Sequence, residues 1–210
     1  MFKNRTEAGF QLAEKLLHFK DKDVVVLAIP RGGLPLGTVV AKALNAPLDV
    51  ALTKKIGHPY NKEYAIGAIS LDSRVLSTPI EAPKEYIEEE TKRIREVLRR
   101  RRDQYYKNTQ PQDVKNKIVV IVDDGIATGN TILATIALVS KMSPAHIVVA
   151  IPVAPQSAIE KLKNSPYVNE MICLQTPHNF KAVGQFYDEF YTVSDEKAIR
   201  ILEECNQNAA

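Results

Sequence analysis

The amino-acid sequence predicts an α/β fold: a doubly wound, mainly parallel sheet with helices on both faces. Two observations lead to this class. Short runs of Val, Ile and Leu alternate along the chain with longer segments of helical periodicity, which is the order of βαβ units. These runs are continuously apolar, as is typical of strands buried on both faces of a parallel sheet. Because the chain has 210 residues and 45% apolar content, we expect a single domain over residues 1–210.

Each predicted element rests on a local pattern. Asn4 and Glu7 have the spacing of a capping box and open a first helix that runs to about Leu17. The predicted strands lie at 24–29, 48–52, 118–122, 146–151 and 170–174. The further predicted helices lie at 34–44, 83–107, 131–142, 156–163 and 195–204. Residues 54–71 look irregular apart from a strand over 65–71, and 180–193 form an aromatic-rich tail.

Composition narrows the class of protein. The net charge of +3 is too small to indicate a nucleic-acid partner by itself. The two cysteines, Cys173 and Cys205, lack metal-ligand spacing and are expected to be thiols in a reducing compartment. The N-terminus has no apolar core of a signal peptide, and no apolar run approaches membrane-spanning length. A cytoplasmic protein with no membrane partner is therefore expected.

The most informative stretch is Lys117–Thr131, KIVVIVDDGIATGNT. A buried strand ends in Asp123 and Asp124, where α/β sheets place their ligands. The small residues that follow let backbone N–H groups wrap a phosphate at a helix N-terminus. The two carboxylates would repel that phosphate but suit a neighbouring polyol or a metal ion. The pattern favours a sugar phosphate over the alternative, an Asx turn that merely caps a helix.

A second loop directly follows the first predicted strand, just as the loop at 125–131 follows the strand at 118–122. Pro30-Arg31-Gly32-Gly33 joins the strand at 24–29 to the next helix. Paired glycines let main-chain N–H groups approach an anion, and Arg31 adds a cationic fork suited to phosphate oxygens. Alone this pattern is weak, because many turns of this kind bind nothing. Beside the first loop it indicates a second phosphate site.

The helix over 83–107 carries the most conspicuous charge of the chain. Seven basic residues fall between Lys92 and Arg102, and four glutamates precede them. This order complements the helix dipole and provides ion pairs at i,i+4. An amphipathic surface helix is therefore expected, with an apolar stripe of Ile87, Ile94, Leu98 and Tyr105. RNA binding through residues 92–102 is the alternative, although nucleic acid is not the expected partner because no aromatic platform is interleaved.

The acid pair with its loop resembles the signature of type I phosphoribosyltransferases, which bind 5-phosphoribosyl-1-diphosphate (PRPP). The resemblance implies transfer of the phosphoribosyl group to a nitrogen base with loss of diphosphate, and Mg²⁺ as cofactor. It implies catalytic roles for Asp123, Asp124 and Lys55. The implied 5-phosphate site is Gly125, Ile126, Ala127, Thr128, Gly129, Asn130 and Thr131, and the implied diphosphate site is Arg31, Gly32, Gly33 and Lys54.

The same resemblance extends to a lid and a hood. Residues 54–71 occupy the position of the family's mobile hairpin. The tail from 176 to 210 resembles the base-binding hood of the hypoxanthine and guanine enzymes, with a core over about 1–175. The base-binding residues would be Phe180, Ala182 and Val183. Asp188 would bind the metal, with Asp123 and Asp124 acting through water.

One departure from the family pattern concerns the acceptor. The 6-oxopurine enzymes carry an aspartate where this chain has Ala127, so the acid–base residue is not identified, with Glu63 in the lid as one candidate. The sequence leaves a non-catalytic PRPP-sensing module as the runner-up function. Small-molecule substrates and a homodimer are the expected partners.

Overall fold

The central sheet of the protein has five parallel strands in the order β2-β1-β6-β7-β8. The computed structural model describes residues 1–77, 79 and 82–207, with the side chain of Glu63 outside that description. The strands are β1 (Val24–Ala28), β2 (Leu48–Val50), β3 (Lys54–His58), β4 (Asn61–Ile69), β5 (Arg74–Leu76), β6 (Ile118–Val122), β7 (His146–Val153) and β8 (Glu170–Gln175). The helices are α1 (Arg5–Leu16), α2 (Gly33–Leu44), α3 (Lys84–Tyr105), α4 (Asn130–Val139), α5 (Gln156–Lys163) and α6 (Asp195–Gln207).

Helices cover both faces of this sheet, as the sequence predicts. Successive strand residues point to opposite faces of the sheet, so each continuously apolar strand contributes side chains to two hydrophobic cores. Val26 and Val120 pack with α1, α2 and α6 on one face. Leu27 and Ile121 pack with α4 and α5 on the other. The predicted doubly wound α/β fold is confirmed.

The strand order reverses between β1 and β6. The chain moves from β1 outward to β2, and from β6 outward to β7 and β8 on the other side. The register pairs Ala28 with Val122, and the Ile29 N–H donates to the Val122 carbonyl at 2.9 Å. The loops after both strands therefore leave the sheet side by side, at the position where doubly wound folds bind ligands.

The expectation that residues 54–64 are irregular is wrong, whereas the strand predicted over 65–71 lies largely within β4. Residues 54–71 contain β3 and β4, which pair as an antiparallel hairpin with only Pro59 and Tyr60 between them, and β5 adds a third strand. Buried Ile56 and Ile69 join Ile94 of α3 in a separate apolar cluster. Residues 54–64 contain a single aliphatic residue, Ile56, so they give no periodic apolar signal of a strand.

The amphipathic interpretation of α3 is confirmed. Ile87, Ile94, Leu98 and Tyr105 are buried, whereas Arg99, Arg100 and Arg102 are exposed. The Lys62 amine, at the edge of the hairpin, contacts the Tyr86 hydroxyl at 2.6 Å. Among the helices of the described ranges, none is both long and apolar enough to cross a membrane.

The tail that we assigned to a hood is tied to the N-terminus. The Phe2 N–H donates to the Phe186 carbonyl at 2.8 Å, and the Asp188 N–H donates to the Phe2 carbonyl at 2.9 Å. Phe2 is fully buried. We call residues 2–5 the N-terminal strap. At the other end of the tail, α6 packs against α2 in the main core, so the tail does not form a unit of its own.

Candidate functional site

The loop after β6 forms a small pocket that leads into α4. The pocket has a volume of about 150 Å³ and is lined by Asp123, Gly125, Ile126, Ala127, Thr128, Gly129, Thr131 and Ile132. Gly129 has φ +78°, a left-handed conformation that glycine adopts without strain. The first N–H groups of α4 have no partner within the helix, so they are available to an anion here. We call this volume the loop pocket; it contains most of the predicted 5-phosphate residues.

Asp123 and Asp124 form a largely buried pair at the end of β6. The Asp124 N–H donates to Asp123 Oδ1 at 2.9 Å. Burial, followed by the neighbouring Asp124 charge, raises the pKa of Asp123 well above its usual value. Burial also raises the pKa of Asp124, against the opposing effect of Arg5. Two carboxylates held together in this way favour a hydroxyl-bearing or cationic ligand, which relieves their repulsion.

Arg5 of the N-terminal strap neutralises Asp124. Its Nε and Nη2 atoms each lie 2.8 Å from Asp124 Oδ2. Its Nη1 donates to the Tyr191 carbonyl at 2.7 Å, and its guanidinium carbon lies 3.9 Å from the centre of the Phe190 ring. Arg5 therefore links the strap, the acid pair and the tail through one side chain.

The loop after β1 lies directly against the acid pair. A Cβ atom added at Gly32 would overlap Asp124 Oδ2, and one added at Gly33 would lie 2.7 Å from the Val122 carbonyl oxygen. Any side chain at either position would displace these neighbours, so both glycines are required for the close approach. The peptide bond between Pro30 and Arg31 is cis.

A second pocket of about 280 Å³ lies on the Asp124 side of the pair. It is lined by Arg5, Arg31, Gly32, Asp124, Phe190, Thr192 and Val193. Arg31 Nη1 is 3.8 Å from Asp195 Oδ2, and both side chains are more than 40% exposed, so this ion pair is weak. We call this volume the arginine pocket. The acid pair separates it from the loop pocket.

The predicted base-binding residues lie in the tail, and one of them, Val183, contacts the loop pocket. Val183 packs on Gly125, where an added Cβ would lie 2.6 Å from Val183 Cγ1. The Phe180 ring lies 5.3 Å from the Phe186 ring. The Ala182 N–H donates to the Gln185 side chain at 3.2 Å. Their role in base binding stays a prediction.

The structure does not gather the three predicted metal-binding aspartates. Asp188 is exposed and directly follows Tyr187, whose backbone is extended and whose hydroxyl donates to the Asp124 carbonyl at 2.6 Å. The role of Asp188 in metal binding stays a prediction. In the described ranges, no group of three or more His, Cys, Asp or Glu is arranged to hold a metal ion.

The acid pair alone nevertheless fits Mg²⁺. This ion usually keeps several waters and takes one or two protein carboxylates together with substrate phosphates. Asp123 and Asp124 supply two such carboxylates between pockets suited to phosphates.

The two predicted lid lysines lie at the start of the hairpin. Lys54 pairs with Ile69, and Lys55 pairs with Ala68. Both are half-buried, and neither lines the loop pocket or the arginine pocket. Their contact with a ligand stays a prediction that requires the hairpin to move.

The sequence interpretation did not include Arg5, Thr192, Tyr187 or Phe190 among the site residues. No motif includes Arg5, because the residues it contacts are 119 to 186 positions away along the chain. One signal was present: Arg5 is the first residue of α1, where a positive charge opposes the helix dipole. Residues that break a local rule are often functional.

Fold and site together define a doubly wound α/β protein with two pockets beside a largely buried acid pair. The family model described as phosphoribosyl transferase domain matches residues 4–190. Two proteins of Mycobacterium tuberculosis, provisionally named phosphoribosyl transferases, are 37% identical over 217 residues, which is 100% of this chain and 48% of theirs. This chain therefore spans about half the length of these relatives.

Solved structures show the same fold. The protein TT1426 of Thermus thermophilus is 39% identical, with a TM-score of 0.90 over 97% of this chain and 98% of that chain. A hypothetical protein of Neisseria gonorrhoeae, solved with bound ppGpp, shares 14% identity at a TM-score of 0.50 over 95% of this chain and 92% of that chain; it shows the fold alone. The chain belongs to the phosphoribosyl transferase domain family.

Proposed function

We propose that this protein transfers the phosphoribosyl group of PRPP to a nitrogen base and releases diphosphate, with Mg²⁺ bound. One observation carries the proposal: two anion pockets of different chemistry meet at one buried acid pair. PRPP has a phosphate at one end, a diphosphate at the other and ribose hydroxyls between them, in the same order as these three features.

Different residues would bind the different parts of PRPP. The loop over residues 125–131 would hold the 5-phosphate, apart from the Ile126 N–H, which donates to the Val153 carbonyl at 3.0 Å. Arg31 with the Gly32 backbone would hold the diphosphate, since the Gly33 N–H already donates to the Ile29 carbonyl at 3.0 Å. Asp123 and Asp124 would accept hydrogen bonds from the ribose hydroxyls. As the bond to diphosphate breaks, the anomeric carbon becomes cationic, and the nearby carboxylates would stabilise that charge electrostatically. Holding donor and acceptor in line contributes further to the rate.

Mg²⁺ would be held by the acid pair together with phosphate oxygens of the substrate. When bound, it supplies positive charge that stabilises the leaving diphosphate. Its binding would also relieve the repulsion between the two carboxylates, whose pKa values burial has raised.

The acceptor is expected to differ from hypoxanthine and guanine. In the 6-oxopurine enzymes an aspartate at the position of Ala127 exchanges a proton with the purine, and such acid–base help contributes about 10²–10⁴-fold. Ala127 is exposed at the loop pocket and has no titratable group. The Glu63 side chain, the other candidate, lies outside the described part of the structure.

This acceptor preference has a direct measurement. We expect hypoxanthine and guanine to be poor acceptors, and Ala127→Asp to increase transfer to them. Efficient wild-type turnover of either purine, with kcat/KM in the ordinary range of about 10⁴–10⁸ M⁻¹s⁻¹, would contradict this expectation.

The experiment that tests the function is an assay of diphosphate release from PRPP and Mg²⁺ against a panel of nitrogen bases. We expect release that depends on one class of base. The exposed-residue variant Asp103→Asn serves as a control for surface charge. PRPP binding without turnover on any base would favour the sensing module instead. Salt-dependent RNA binding that survives loss of the acid pair would favour the basic helix as the functional surface.

A further inference from the structure

The arginine pocket contains a second guanidinium that no motif assigns. Arg5 and Arg31 both line it, together with the Gly32 backbone and the Thr192 hydroxyl. We propose that Arg5 is a direct ligand of the diphosphate, so that two arginines, one from the N-terminal strap and one from the loop after β1, bind the leaving group. This inference rests on the proposed function, because it identifies how that same site holds its leaving group.

Arg5 retains hydrogen-bonding capacity for a ligand. A guanidinium has five N–H donors. The contacts of Arg5 in the described ranges use Nε and Nη2 on Asp124 and Nη1 on Tyr191. Each terminal nitrogen has two N–H groups, so each keeps one for a further acceptor. A phosphate group can accept both, as in bidentate arginine–phosphate contacts.

The surroundings hold Arg5 in one orientation. The Tyr191 carbonyl and the Phe190 ring fix the guanidinium from the side of the tail, and Asp124 fixes it from the side of the sheet. Only 11% of its side chain is exposed, compared with 42% for Arg31. A preorganised, poorly hydrated cation loses less on binding and interacts more strongly than an exposed one. Arg5 is therefore expected to contribute at least as much as Arg31.

The charges of the pocket fit an anion better than a neutral base. Arg5 and Arg31 bring two positive charges, and the one carboxylate among the described lining residues, Asp124, is already paired with Arg5. The Asp195 carboxylate, outside the lining, pairs only weakly with Arg31. The Phe190 face that could stack on a base is covered by the Arg5 guanidinium. The Gly32 backbone and the Thr192 hydroxyl are suitable donors to phosphate oxygens.

A purely supporting role for Arg5 is the rival explanation. If Arg5 only kept Asp124 in place, its loss would disturb the ribose site, and the affinity for every ligand that reaches the acid pair would fall together. If Arg5 binds the leaving group directly, its loss would weaken diphosphate selectively. Ribose 5-phosphate, which has no diphosphate, separates the two explanations.

The experiment is calorimetric titration with inorganic diphosphate plus Mg²⁺ and, separately, with ribose 5-phosphate. For Arg5→Met we expect diphosphate affinity to fall about 10- to 100-fold, the effect of losing hydrogen bonds from a charged donor. Ribose 5-phosphate affinity should stay within about twofold. Arg5→Lys keeps the positive charge but lacks the planar guanidinium that binds phosphate through two N–H groups. It should therefore recover part of the lost diphosphate affinity. Lys15→Met, on the exposed face of the same helix, should change neither affinity.

Two results would overturn the proposal. One is diphosphate affinity in Arg5→Met equal to wild type, and the other is an equal loss for both ligands. If Arg5→Met does not fold, the same titrations are made with Arg5→Lys and Thr192→Val. Each variant should lose about 2- to 10-fold in diphosphate affinity, with ribose 5-phosphate affinity unchanged. These titrations need no acceptor and no turnover. Wild-type diphosphate binding without phosphoribosyl transfer would therefore refute the proposed function while leaving this assignment in place.

Discussion

The loop pocket and the arginine pocket lie on two sides of one acid pair, yet they are built differently. The loop pocket comes from one contiguous segment and offers backbone N–H groups and small side chains. The arginine pocket comes from the strap, the loop after β1 and the tail, and offers charged side chains. The backbone N–H groups of the loop pocket are fixed in position, which fits a phosphate that stays on the product. The charged side chains of the arginine pocket can neutralise negative charge, which fits a diphosphate that must leave.

The acid pair belongs to both pockets, so its loss should have the largest effect. We expect Asp123→Asn with Asp124→Asn to lower kcat/KM for diphosphate release by about 10³-fold or more, because electrostatic groups at the reacting centre contribute on this scale. The protein should remain folded, since burial already disfavours both charges. Wild-type PRPP affinity of the double variant, measured calorimetrically with Mg²⁺, would show that the pair does not hold the substrate.

Arg31→Ala should affect only the arginine pocket. We expect diphosphate and PRPP affinity to fall about 10- to 100-fold through the loss of charged hydrogen bonds, with ribose 5-phosphate within about twofold. Arg100→Ala, an exposed change on α3, is the matched control. Equal losses for ribose 5-phosphate and diphosphate would mean that the two pockets do not divide the two ends of PRPP.

Gly129→Ala should affect only the loop pocket. Gly129 has φ +78°, and an added Cβ would meet nothing closer than Ala158 Cβ at 3.6 Å, so the change strains the backbone without a clash. Such strain costs about 1–2 kcal/mol. If the loop moves to release the strain, the phosphate-binding conformation is lost at that cost, and ribose 5-phosphate affinity should fall about 5- to 30-fold. Diphosphate affinity should be unchanged in the same titration series. A loss confined to diphosphate would reverse the assignment of the pockets.

Asp49 provides a buried acid outside both pockets. It is 4% exposed and accepts hydrogen bonds from the Tyr106 hydroxyl at 2.6 Å, the Gln112 N–H at 2.7 Å and the Val50 N–H at 2.8 Å. Burial raises its pKa above the usual 3.8 despite these donors. The folded protein therefore holds this proton to higher pH than the unfolded chain, and the contribution of Asp49 to stability falls as pH rises from about 4 through the folded pKa.

Tyr106→Phe removes one donor to that carboxylate and should have the smallest effect on function. We expect unfolding free energy at pH 7 to fall by about 1.5–3 kcal/mol, a loss of roughly 2–4 °C in Tm per kcal/mol. The loss should be smaller at pH 4 than at pH 7, because the raised pKa of Asp49 leaves a larger fraction of this carboxyl protonated at the lower pH. Thermal melts at both pH values measure this difference, and transfer activity at pH 7 should stay within about twofold. A larger destabilisation at pH 4 would contradict the sign of the Asp49 shift.

The difference between the pockets also explains what the sequence could predict. The loop pocket was predictable because strand, acids, loop and helix start follow one another in Lys117–Thr131. The arginine pocket depends on Arg5 meeting Tyr191 and Phe190 across the whole chain, and no local pattern encodes a contact of that separation. The continuous strands of the central sheet were predicted closely. The hairpin of β3 and β4 was expected only from the family resemblance and not from its own residue pattern, because its burial on α3 comes from tertiary packing.

The central claim is that PRPP lies across the acid pair with one anionic end in each pocket. A crystal structure of the protein with PRPP and Mg²⁺ tests it most directly. We expect the 5-phosphate within hydrogen-bond distance of N–H groups of the loop over residues 125–131, the ribose hydroxyls on the acid pair, and the diphosphate between Arg5 and Arg31. A diphosphate in the loop pocket, or a bound PRPP that leaves the arginine pocket empty, would contradict the claim.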